Sequence, residues 1–146
     1  MSLKIVFMGT PEFSVPALKS LISSNHRVLA VYSQPASKAN RGQKIISSSV
    51  EMFAKENSLN LRTPRNLDSD EEYNYLKNLQ PDIVIVIAYG KIIPKRFLNL
   101  AKHGFLNAHA SLLPKWRGAA PIQRSIMNLD KVTGVSIMRI VEELDA

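Results

Sequence analysis

The chain has 146 residues, 45% of them hydrophobic and 21% charged, with a formal net charge of +7. That size fits one globular domain with a core of its own, and the composition excludes a disordered chain, a collagen and a disulfide scaffold. With no cysteine and only three histidines, none in a metal-spaced pair, thiol nucleophiles and Cys-based zinc or iron–sulfur sites are excluded, and a His-rich metal site is disfavoured.

The charge is uneven. Residues 1–65 carry nine of the 19 basic residues but three of the 12 acids. Between Asp82 and Asp130 there is no acid, while Lys91, Lys95, Arg96, Lys102, Lys115, Arg117 and Arg124 fall there. A positive field attracts polyanions and speeds their arrival, though a soluble basic protein with scattered lysines has the same arithmetic. Leu3–Met8 is too short for the core of a signal peptide. The longest apolar run, Ile83–Ala88, is far below the ~20 residues that cross a bilayer. The expectation is a cytoplasmic protein with no membrane contact.

Lys4–Met8 reads as a strand and Pro16–Ser24 as a helix, with Ser14 as cap candidate and proline near the first turn. Arg27–Tyr32 is a second strand. Ser33–Ile46 is a polar, basic loop with no pattern of its own, a length that inside a compact domain signals function or disorder. Ser47–Glu56 reads as a helix, and so does Ser69–Leu79, with Asp68 and Ser69 as cap candidates and acids in its first turn. Pro81-Asp82 ends it. Ile83–Ala88 (IVIVIA) is continuous rather than alternating, as in a strand buried on both faces at the centre of a parallel sheet. Gly104–His109, a helix near Ala120–Met127 and a strand at Val132–Ile140 complete the pattern. Strands separated by helix-length segments indicate an α/β fold, mostly parallel, with helices on both faces. No repeat, low-complexity tract or linker interrupts it.

Four segments carry candidate chemistry. Met8-Gly9-Thr10-Pro11-Glu12-Phe13-Ser14 ends the first strand before a helix, a natural anion site, but G-x-G-x-x-G is missing and a tight strand-to-helix turn explains it better. Asn107-Ala108-His109 puts an amide and an imidazole on one face of a strand, about 7 Å apart at Cα. Such a pair suits a carbonyl becoming an oxyanion, the amide donating and the imidazole exchanging a proton. A structural histidine fits the spacing equally. Ser111–Pro114 followed by Lys115-Trp116-Arg117 forms a stiff loop that walls a pocket or covers a surface, with Trp116 and Arg117 able to stack or hold phosphate. Asp145 sits in an acidic tail; beside a histidine it would orient the ring and raise its pKa, and by default it frays.

Taken together, the segments resemble the methionyl-tRNA formyltransferase family. The motifs are F-M-G-T-P-E-F-S, V-Y-S-Q-P, A-Y-G-K-I-I-P at Ala88–Pro94, N-A-H-A-S-L-L-P, K-W-R-G-A-A-P-I-Q and T-G-V-S-I-M before E-E-L-D, in colinear order. N-x-H-x-S-L-L-P marks the wider group that uses 10-formyltetrahydrofolate, and W-R-G-A-A-P-I-Q marks the initiator-tRNA enzymes. The resemblance implies a Rossmann-like sheet without a dinucleotide. It implies Asn107 and His109 as oxyanion stabilisers, with His109 also moving a proton toward the departing N10. Asp145 would position His109 or a water. Ala88, Tyr89, Gly90, Lys91 and Ile92, with Ser111, Leu112, Leu113 and Pro114, would line the pterin and formyl pocket, largely through backbone. Arg41, Lys44 and Arg117 would contact tRNA.

The implied partners are initiator Met-tRNA and 10-formyltetrahydrofolate as co-substrate, with no metal, acting as a monomer. The loop departs from the family's Q-P-D-R-x-x-G-R-G-K-K, reading Q-P-A-S-K-A-N-R-G-Q-K, so its tRNA contacts differ in detail. Residues 1–146 match the catalytic domain only up to Asp145, so a truncated, inactive or nearly inactive catalytic domain without the family's C-terminal barrel is expected. Alternatives are a sister enzyme formylating a sugar nucleotide or glycinamide ribonucleotide, and a non-catalytic folate- or tRNA-binding fragment.

Overall fold

The computed structural model describes residues 2–38, 44–110 and 135–140, with the side chains of 109, 110 and 135–137 outside that description. In chain order the elements are β1 (Lys4–Gly9), α1 (Val15–Ile22), β2 (Arg27–Tyr32), β3 (Ser37–Lys38), β4 (Ile45–Ile46), α2 (Ser49–Glu56), β5 (Leu61–Arg62), α3 (Asp70–Leu79), β6 (Ile83–Ile87), β7 (Phe105–Ala110) and β8 (Val135–Ile140). The strand order β5-β2-β1-β6-β7-β8 makes one six-stranded sheet, parallel from β5 to β7, with β8 antiparallel to β7. The expected mostly parallel α/β architecture is present.

All five residues of β6 are buried. Ile83, Ile85 and Ile87 pack with Ala17, Leu18 and Leu21 of α1 and with Val50 and Ala54 of α2. Val84 and Val86 face the other way, into a core with Leu76 of α3, Tyr89, Phe97 and Phe105. Two covered faces remove the need for alternation, which is why the run reads as unbroken apolar.

The order also places the site. From β1 the chain steps outward through β2 to β5, then returns to the opposite side of β1 as β6. The segments leaving the carboxyl ends of β1 and β6 therefore diverge, and an open α/β sheet binds ligands in the crevice such a reversal leaves.

Local chemistry sets the element ends. Ser48 caps α2 by accepting from Glu51 N–H, and Ser69, rather than Asp68, caps α3 by accepting from Glu72 N–H. Ser14 corrects the sequence reading. It closes a 3₁₀ turn at Glu12–Ser14, its backbone is already helical, and its side chain makes no cap bond. Its Oγ instead donates to the Ile87 carbonyl, 2.6 Å away. The segment expected to lack pattern contains an antiparallel ribbon, Ser37 opposite Ile46 and Lys38 opposite Ile45. Two-residue strands are too short to show a period, which also hid β5. The strand expected over Val132–Ile140 is described from Val135, and the helix expected near Ala120–Met127 lies outside the described residues.

Beyond the site, the edge of the sheet is held by one carboxylate. Glu72 accepts from Arg62 Nε at 2.8 Å, from Arg62 Nη2 at 3.0 Å and from the Tyr32 hydroxyl at 3.1 Å. The Arg62 guanidinium also lies over the Tyr75 ring, 3.8 Å from its centroid. Among the described residues no helix is long and apolar enough to cross a membrane.

Candidate functional site

Gly9 brings the first loop close to its neighbours. A Cβ there would lie 2.9 Å from the Ile87 carbonyl oxygen and 2.9 Å from the Phe7 ring. The bare backbone lets β1, β6 and the Ser14 turn close together, which is the tight-turn reading of this motif.

The second loop, Ala88–Ile92, follows β6. Ala88 has φ +53° and Gly90 has φ +91°, so the backbone twice enters the left-handed region. For a residue with a Cβ that costs ~1 kcal/mol and persists only where the surroundings impose it. The surroundings do so through the carbonyls. Ser14 donates to Ile87 O, Thr10 Oγ1 donates to Tyr89 O at 2.7 Å, and Gln34 Nε2 donates to Gly90 O at 3.0 Å. Farther along, Lys91 Nζ donates to Arg65 O at 2.8 Å. Tyr89 turns its ring into the core and is 1% exposed, whereas Ile92 is 90% exposed. The Tyr89 hydroxyl has no hydrogen-bond partner among the described residues. Burial pushes its phenol above the ordinary tyrosine range, and the charge of Glu72 adds to the effect.

Across from this loop stands β7. Asn107 pairs in register with Val86 of β6 on one side and Met138 of β8 on the other. Between them opens a cleft of about 470 Å³, lined by Phe13, Val86, Ala88, Tyr89, Gly90, Lys91, Ile92, Asn107 and Ala108. The structure thus brings together Asn107 and all five residues expected from Ala88 to Ile92. This is a mostly apolar recess with Lys91 and Asn107 among its lining residues, of a size that takes a small heterocyclic ligand.

His109 lies two positions beyond Asn107 on the same strand, its backbone opposite Ser136, and its side chain is outside the described residues. Lys44 is exposed next to β4 and does not line the cleft. Arg41, Ser111, Leu112, Leu113, Pro114, Trp116, Arg117 and Asp145 lie outside the described residues. No group of three His, Cys, Asp or Glu side chains that could hold a metal occurs among the described residues.

Val86 and Ala108 as lining residues escaped the sequence reading, while Thr10, Phe13 and Ser14 stand out there only as a turn or anion site and Gln34 only within V-Y-S-Q-P. Serine and threonine near a helix start suggest caps or turns. Only the β1–β6 register turns them toward carbonyls more than seventy residues away.

Residues 3–146 match the sequence profile of the formyl transferase family. A methionyl-tRNA formyltransferase of Pelagibacter ubique is 62% identical over 146 residues, covering 99% of this chain and 47% of that protein. One from Coxiella burnetii is 52% identical over 145 residues, covering 99% of this chain and 46% of its own length. The chain therefore spans just under half the length of these curated relatives. Among solved structures, phosphoribosylglycinamide formyltransferase from Anaplasma phagocytophilum superposes with a TM-score of 0.63 at 21% identity, covering 100% of this chain and 68% of that one. A 4-N formyltransferase from Francisella tularensis gives 0.54 at 22% identity, covering 98% of this chain and 52% of that one. At those identities the likeness concerns the fold.

Proposed function

The chain belongs to the formyl transferase family, and we propose that it carries the formyl-donor site of an enzyme that moves a formyl group from 10-formyltetrahydrofolate to the methionine amine of initiator Met-tRNA. The observation that carries this reading is one open cleft lined by both Asn107 and the 88–92 loop. The relatives at 52% and 62% identity favour initiator Met-tRNA over the sugar-nucleotide and glycinamide-ribonucleotide acceptors.

The chemistry asks little of the protein beyond placement. The donor is already an activated formamide. The amine nitrogen adds to the formyl carbon, the carbonyl oxygen takes the negative charge, and the intermediate collapses by breaking the carbon–N10 bond. The 88–92 loop would hold the pterin through its backbone, with Ser111–Pro114 closing the pocket. Asn107 would donate its amide hydrogen to the oxyanion, a role worth most in a water-poor recess. His109 would take the proton that the attacking amine sheds and pass it to the departing N10, with Asp145 positioning His109 or a water. Arg41, Lys44 and Arg117 would meet tRNA phosphates, consistent with a chain whose net charge is +7. The protein would work in the cytoplasm, as a monomer.

The test is formyl transfer to initiator Met-tRNA by a formylation-competent protein containing these 146 residues. Asn107→Ala and His109→Ala should each lower kcat by ~10²–10³ with the fold intact. Rates like those of the parent in either variant would refute the assignment.

A further inference from the structure

Gln34 stands where three strands converge. It follows β2 by two residues, its backbone N–H donates to Thr10 Oγ1 beyond the end of β1 at 3.3 Å, and its side-chain amide donates to Gly90 O beyond the end of β6 at 3.0 Å. The same Thr10 hydroxyl donates to Tyr89 O. Two successive carbonyls of the cleft loop are thus held from one point. Pro35 restricts the residue before it to extended backbone, so the reach of Gln34 is largely set before the bond forms.

The geometry at Gly90 accommodates this approach. A Cβ at that position would press against Gln34 Nε2. Glycine is favoured there by its φ of +91°, and its bare backbone leaves the Gln34 amide room to reach the carbonyl without shifting.

We propose that Gln34 is a positioning residue for the cleft: its amide N–H fixes the Gly90 carbonyl, and through it the backbone that receives the formyl donor. The proposal rests on the folate reading of that cleft. It requires a donor at position 34, and bulk alone does not suffice.

The experiment measures binding of 10-formyl-5,8-dideazafolate, a stable analogue of the donor, to this chain and its variants. Gln34→Ala should weaken binding about 5–10-fold, the worth of one ordinary hydrogen bond, with little change in Tm. Gln34→Glu keeps the length but turns a donor toward a carbonyl into a carboxylate. It should bind no better than Gln34→Ala at pH 7.5. As pH falls to 5 and its carboxyl begins to protonate, its deficit relative to wild type should shrink. A role in shape alone would leave Gln34→Glu at wild-type affinity without that pH trend. Amide hydrogen exchange over residues 88–92 in the free chain provides a ligand-independent readout, expected to quicken in Gln34→Ala. Wild-type affinity in both variants overturns the proposal whatever the exchange shows. If the wild-type chain binds no analogue, the folate reading of this chain's cleft falls, and exchange unchanged by Gln34→Ala then overturns the clamp as well.

Discussion

Ser14 donates its hydroxyl to the main-chain carbonyl of Ile87 across 2.6 Å, fastening the start of α1 to the last residue of β6. Both partners are buried, so no water replaces the bond when it is lost. Ser14→Ala removes this donor from the carbonyl directly before Ala88, where the backbone turns left-handed. A loss of about 1–3 kcal/mol is expected, read as a lower urea midpoint with an unchanged slope. An unchanged midpoint would mean that this carbonyl finds another donor.

Glu72 is the anchor of the sheet edge, and removing it leaves Arg62 only a longer contact, 3.4 Å, to the exposed Glu71 carboxylate. The Glu72 side chain is 8% exposed and that of Arg62 is 23%, so water repays only part of the loss. Glu72→Ala should cost ~2–3 kcal/mol, below the value for a fully buried pair. Replacing both with leucine should cost less than Glu72→Ala alone, because no unpaired charge remains. Denaturant titration of the single and double variants decides between these outcomes.

Alkaline pH should unfold the protein through two tyrosines. Burial pushes Tyr32 above the usual tyrosine range, with the neighbouring Glu72 charge acting the same way, and Tyr89 shifts in the same direction. A group whose folded pKa is raised keeps its full contribution below the unfolded value near 10 and loses it as pH climbs beyond. Each tyrosine then removes up to ~1.4 kcal/mol per pH unit. Stability between pH 9 and 11 should fall less steeply in Tyr32→Phe and in Tyr89→Phe. Tyr89→Phe should also be neutral or stabilising at pH 7, since its hydroxyl is unpaired among the described residues. A steep loss at pH 7 would show that the hydroxyl has a partner elsewhere in the chain.

What the sequence reveals here follows the range of the interactions. Ser48 and Ser69 cap within three residues of themselves, so their roles are written locally. The IVIVI run announces its own two-sided burial. Ser14 and Gln34 act on Ile87 and Gly90, and nothing near them in the chain signals those partners. The ribbon of β3 and β4 has two residues a side, below any readable period. The resemblance names Asn107 and the 88–92 loop, and the cleft they line takes its geometry from the strand reversal between β1 and β6, which no motif records.

The most direct measurement is a crystal structure of this chain with 10-formyl-5,8-dideazafolate. The expected result places the ring system against the 88–92 backbone with the formyl oxygen within about 3 Å of Asn107 Nδ2. The analogue bound elsewhere, or in this cleft with its formyl group turned away from Asn107, would contradict the account.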